Sequence, residues 1–226
     1  MSTSTASPAR TTNPVGASCG AAFAVLFLLS DTITRPLQQA PATLPTDPPA
    51  AMLTYYLQSG TAITAHAAFH AVSALLLIGF VLTVGQVLAR VAPARATLRL
   101  VAVAGGIGAA VALIISAGVN VYATLSATGL SEGAAQALRL TNFYTGGTIH
   151  VALLGVFAVA SCLIALRARP WARGFSWFGL VSGVLSILSL LSLAIYYATP
   201  LIPLGRFSHF AWAICICVVL LIKRRR

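Results

Sequence analysis

Acidic side chains are nearly missing: Asp31, Asp47 and Glu132 are the only three among 226 residues. No carboxylate pair is available for acid and base work or for a two-metal centre, so the usual hydrolytic schemes lack their parts. A nucleophile beside a base and a glycine-rich phosphate loop are missing too, which leaves kinase chemistry without a footing. Cysteine is scarce as well. Cys19 precedes its apolar run, where a lipoprotein cysteine would follow it, and Cys162, Cys215 and Cys217 fall inside apolar stretches. Cys215 and Cys217 are two apart, so on a helix they point nearly opposite ways and suit neither a shared metal nor a disulfide. They read as small buried hydrophobes.

Charge of either sign is thin, at 8% of residues against 58% hydrophobic and a mean hydropathy of +0.92. Soluble domains carry roughly 25% charged residues, so water is not the main solvent of this chain. A bilayer-spanning helix needs about 20 mostly apolar residues. Six windows meet or nearly meet that length: 15–34, 61–89, 98–125, 145–166, 175–198 and 207–222. Lipid offers no partner to backbone N–H and C=O groups, so each window is expected to be helical whatever its β-propensity. The fold class is therefore all-α, a polytopic membrane protein with six transmembrane helices. Residues 1–14 read as a disordered cytoplasmic N-terminus and 15–226 as one membrane domain, with 35–60 as a proline-rich extracytoplasmic loop.

The basic residues orient it. With both termini inside, Arg10, Arg90, Arg95, Arg99, Arg167, Arg169, Arg173 and the four residues Lys223 to Arg226 are cytoplasmic, 11 of the 14. Arg35, Arg139 and Arg206 fall outside together with all three acids, so the whole net charge of +11 lies inside. That is the positive-inside pattern of a plasma-membrane protein. A nucleic-acid partner is not expected, because the charges are confined to short loops and a terminal tag. The partner is the lipid bilayer. A cleaved signal peptide is the other reading of the first window, since Arg10 precedes an apolar stretch and Ala40-Pro41-Ala42 resembles a small-residue cleavage site. That site lies about ten residues past Ser30, farther than a usual cleavage region, so a retained helix is expected.

The segment from His70 through "ARVAPAR" to "YATL" parallels the one from His150 through "ARPWAR" to "YATP". Gly108 and Gly183 even stand the same distance before Tyr122 and Tyr197. The pattern suggests a parallel repeat of two helix hairpins, helices 2–3 and 4–5. Helix 3 carries Gly105, Gly106 and Gly108, and helix 5 carries Gly179 and Gly183 beside Ser182, Ser186 and Ser189. Small faces of this kind let backbones approach in lipid, within one bundle or between copies.

The stretch "LIALRARPWARGFSWFGLVSGVLSIL" (Leu163 to Leu188) and the closing "AWAICICVVLLIKRRR" carry a proline-tryptophan inner loop, a glycine-bearing helix and a basic tail. In these features the last third of the chain resembles the bacterial multi-pass membrane proteins of the domain of unknown function 4386 family. The resemblance implies six helices and a plasma-membrane location, and no established activity. The proline-rich segment 35–50 departs from that family's pattern.

All four histidines stand at the outer ends of descending helices: His66 and His70 on helix 2, His150 on helix 4 and His209 on helix 6. A helix rise of about 1.5 Å per residue puts His70 and His150 about 30 Å above the inner turns, at matched depth, with His209 deeper. Asp31, Asn120, Tyr122, Asn142, Tyr144, Tyr196 and Tyr197 converge on the same level, so a polar pocket opening outward is the expected site. Three readings of it stand open. The rings are interfacial residues with no ligand, as suits an uncharacterised, non-catalytic or stress-related protein. His66, His70 and His150 ligate a metal or haem in a membrane redox protein. Or Asp31 pairs with a histidine in a proton-linked carrier of small molecules.

Overall fold

The computed structural model describes residues 14–224, so the expected disordered segment falls, but for its last residue, outside the described residues, as do Arg225 and Arg226. Every regular element is helical: α1 Pro14–Thr34, α2 Pro49–Gln58, α3 Gly60–Val91, α4 Ala96–Leu125, α5 Glu132–Asn142, α6 His150–Ala168, α7 Arg173–Leu188 and α8 Leu201–Arg224. Six helical spans are long and apolar enough to cross a membrane: Val15–Leu37, Gly60–Val91, Pro93–Leu125, Glu132–Ala168, Arg173–Leu193 and Leu201–Lys223. The six-helix, all-α expectation holds at that level.

Each spanning helix packs against its neighbours in sequence, α1 on α3, α3 on α4, α4 on α6, α6 on α7 and α7 on α8, and α8 returns to α1. The ring is closed. Gly20 of α1 lies against Phe80 of α3 and Cys217 of α8, so the start of α1 and the ends of α3 and α8 share one end of the bundle. The α3–α4 and α6–α7 turns lie at that same end. Prolines set both. Ala92 precedes Pro93 and Arg169 precedes Pro170, and the residue before a proline is driven from helical geometry. Arg169 takes a left-handed conformation, φ 54°, unusual for a residue with a side chain. Lys223 Nζ donates to the Pro170 carbonyl at 2.6 Å and ties α8 to this turn.

Small residues make the helix contacts. A methyl group placed on Gly155 of α6 would stand 2.5 Å from the Gly183 carbonyl oxygen of α7, and one on Gly183 would stand 2.9 Å from that of Gly155. Gly105 of α4 meets the Leu153 carbonyl and the Phe157 amide from the other side of α6. The glycine faces of the third and fifth spanning helices thus both close on α6 of the same chain. That makes α6 the most enclosed spanning helix. Phe80, Phe157 and Trp212, from α3, α6 and α8, pack edge to face at 5.8 to 6.2 Å and fill the centre.

Two segments expected as loop are helical. The proline-rich segment 35–60 contains α2, which starts at Pro49, where the missing N–H of a first-turn proline costs nothing. The stretch after α4 forms α5, whose cap is the Ser131 side chain accepting from the Ala134 amide at 3.2 Å. Its sequence is polar on one face only, which a hydropathy window reads as a loop. From α5 the chain runs without a break through a wide turn of π-helix, Phe143–Ile149, into α6. The last helix begins at Leu201, six residues before its expected start, with Pro203 accommodated in the first turn. Arg206 is therefore part of a spanning helix. It is not in a loop.

Candidate functional site

α2, α5 and the segment before α2 cap the end of the bundle opposite the termini, with Ala40, Tyr55, Tyr56, Ala127 and Ala135 forming a second small core there. Arg139 of α5 holds the cap together. Its Nε and Nη2 donate to the Thr43 carbonyl at 3.1 and 2.5 Å, Nη1 donates to Asn142 Oδ1 at 3.3 Å, and the guanidinium lies 5.5 Å from the Tyr55 ring centre. Burial pushes the Tyr56 hydroxyl up to about 12 and raises Tyr55 as well, with the Arg139 charge opposing both shifts.

Between cap and bundle lies a cavity of about 260 Å³. It falls just below the roughly 300 to 1,000 Å³ of pockets for drug-sized ligands, so it suits a small molecule. His66, His70 and Asp31 line it together with Asn120 and Asn142. His66 and His70 are four apart on α3, so they share a face, and their rings are 4.0 Å apart, centre to centre. His66 Nδ1 stands 3.4 Å from Asp31 Oδ1, and the Asp31 side chain is 80% exposed at the mouth. His70 stacks on Phe27 of α1 at 4.4 Å. Its Nε2 is buried with no hydrogen-bond partner among the described residues, and so is Asn120 Oδ1 of α4.

Arg139 and Arg206 complete the lining. Neither was expected there, since both stand in stretches whose polarity interrupts the apolar windows. The signal that could have found Arg206 is the pattern of α8 itself: read as helix from Leu201, its sequence carries an arginine one and a half turns into a span, and such residues are rare without a role. Arg206 Nη2 donates to the Gly146 carbonyl at 2.5 Å, and the guanidinium lies 4.9 Å from the centre of Phe27. Its Nε has no partner among the described residues. The π-helical turn supplies the carbonyl, since a widened turn loosens the regular ladder, and such turns recur at functional sites. Asn142 Nδ2 donates to Ser116 Oγ at 2.8 Å and to its carbonyl at 3.0 Å, locking that turn to α4.

The remaining expected residues lie elsewhere. His150 and His209 are fully buried below the cavity. His150 Nδ1 donates to the Ala109 carbonyl at 2.9 Å, which fixes that nitrogen as the protonated one. His209 packs on Trp212 and Phe157. Tyr122 is 59% exposed and Tyr197 92%, both turned away from the bundle interior. Helix rise gave their height correctly but says nothing of the side of the helix they occupy. The Tyr196 side chain lies outside what is described. For metal or haem, no cluster of three His, Cys, Asp or Glu side chains forms among the described residues, and what His70 and His150 share is Phe27, stacked on both rings.

Comparison with protein families, with curated proteins and with solved structures finds no match for this chain.

Proposed function

We propose that this chain is a plasma-membrane protein that binds a small monocarboxylate in its capped cavity, reached from the outside, with a proton held at the Asp31–His66 pair. The observation that carries the reading is the Arg206 guanidinium, which lines the cavity and whose Nε is buried without a partner among the described residues. A buried cation without a paired carboxylate favours an anion strongly. Arg139 and Arg206 against Asp31 leave one net positive charge on the lining before the Asp31–His66 pair takes up its proton, enough for one carboxylate. Arg139 gives its Nε, Nη1 and Nη2 to Thr43 and Asn142, whereas Arg206 Nε and His70 Nε2 are buried without a partner among the described residues, and a ligand oxygen would meet them after a small shift of these side chains. Phe27, Ile63, Phe143 and Ile202 offer the rest of the cavity to a short apolar tail. The uneven distribution of basic residues supports cytoplasmic termini and a cap on the outer side. The matching positions of His70 and His150 on Phe27 support descent of α3–α4 and α6–α7 from one hairpin.

The test is thermal unfolding of the detergent-purified protein titrated with acetate, lactate or benzoate. Saturation to about 100 times the dissociation constant stabilises a single-site protein by about 2.7 kcal/mol, a clear rise in midpoint. Lactate is expected to give it, with no Soret band in the visible spectrum. No rise with any of them overturns the reading, and a Soret band would return the site to haem.

A further inference from the structure

A set of buried polar atoms runs below the cavity, and the monocarboxylate reading uses only the uppermost of them, His70 Nε2. His70 Nε2, His150 Nε2 and both nitrogens of His209 have no hydrogen-bond partner among the described residues, although all three rings lie in the bundle interior. His70 and His150 both stack on Phe27, and His209 lies 6.1 Å from Phe157, almost two turns along α6 from His150. Each imidazole is within electrostatic reach of the next.

The contacts of α7 give the depths. Ser182 Oγ meets Ser208 Oγ at 2.9 Å, which sets His209 level with Ser182, and Trp212 Nε1 donates to the Phe175 carbonyl at 3.1 Å, almost two turns closer to the termini. Beyond His209 stand Ser161 Oγ, Ser176 Oγ and Trp171 Nε1, again buried and again without a partner among the described residues. Ser161 adjoins Cys162, which packs at Gly179, Ser176 is about a turn farther, and Trp171 lies in the α6–α7 turn. Buried polar groups are almost always hydrogen-bonded, and where protein supplies no partner ordered water does. Water admitted between these groups as the helices move would join the cavity to the inner turn.

We infer that His70, His150 and His209 form a proton path leading from the capped cavity through the centre of the bundle to the α6–α7 turn. The path takes its starting point from the reading of the cavity as a site open to the outside. No bond other than N–H and O–H changes. A proton leaves the His66–Asp31 pair, binds a free nitrogen of the next ring, and an equal proton is released onward through water. His209 can receive on one nitrogen and release from the other. His150, with Nδ1–H committed to Ala109, receives and releases through Nε2. Arg139, Arg206 and Asp31 face the upper rings from α5, α8 and α1, and Trp212 and Cys162 lie beside the lower end.

The experiment uses vesicles containing the full chain and an internal pH-sensitive dye, with an inward-negative potential set by potassium and valinomycin. Wild type is expected to acidify the lumen at least about tenfold faster than protein-free vesicles. H209F keeps an aromatic ring against Phe157 and Trp212, and H209N keeps a hydrogen-bonding side chain that cannot relay a proton. Both are expected to fall to the protein-free rate while their lactate-induced thermal shift stays that of wild type. Undiminished flux in either folded variant, or wild-type flux equal to that of protein-free vesicles, overturns the path. Proton flux that depends on His209 in a protein that binds no monocarboxylate would keep the path and remove the solute reading.

Discussion

Arg206 is the residue on which the cavity's chemistry turns, because its Nε is buried without a partner among the described residues. A hydrogen bond to a charged group contributes about 1.5 to 3 kcal/mol, so R206Q should weaken lactate binding by about ten- to a hundredfold in calorimetric titration. K223Q, at the other end of α8, should leave it unchanged. Tyr56 gives a second prediction at this scale. Its folded-state pKa, about 12, is above the ordinary tyrosine value near 10, so the neutral form is favoured by folding. That contribution is complete below pH 10 and is lost as pH rises from about 10 to about 12. Spectrophotometric titration should show one tyrosine ionising late, absent from Y56F, and wild type should lose stability relative to Y56F over that window. The residues of the cavity were half legible in the sequence. An imidazole pair at i, i+4 in an apolar run stands out, and with Asp31 it marked the site. Arg139 and Arg206 were hidden because a charge ends the very window that would have revealed it as part of a helix, and Tyr122 was misplaced because depth carries no information about facing.

At the scale of elements, the contact of α6 with α7 depends on two glycines, each of whose carbonyl oxygens lies where a side chain on the other would begin. G183A and G155A should each lower stability by about 1 to 3 kcal/mol, since the clash is with backbone that cannot turn aside. Gly118 of α4 is the matched control. Nothing lies within 4 Å of a methyl group there, so G118A should be neutral or stabilise by up to about 1 kcal/mol. A G183A variant as stable as wild type in a detergent unfolding series would show that the helices are farther apart than described. The Arg169 turn gives a further expectation: R169G relieves a left-handed conformation and should raise the unfolding midpoint by the equivalent of about 1 kcal/mol. The spanning helices were legible because lipid leaves an apolar run of that length no other structure. α2 and α5 were not, because each is a short helix that is apolar on one face only and is stabilised by packing on its partner across the bundle end.

For the whole molecule, a closed ring of six helices puts the start of α1, the end of α8 and the turns at 92–95 and 169–172 at one end, and the cap with its cavity at the other. The basic residues fall mainly at the first end and the acids at the second. On the proposed topology, with the basic end inside, these two arrangements put the cavity on the outer side. The most direct measurement uses Q38C, a cysteine on the cavity wall, in a chain whose four native cysteines are replaced. Intact cells are treated with a membrane-impermeant thiol reagent, with and without lactate. The account predicts labelling from outside, slowed by lactate in proportion to its occupancy and no longer slowed when R206Q is added. Labelling only after the cells are opened, or labelling from outside at a rate that lactate and R206Q both leave unchanged, would contradict it.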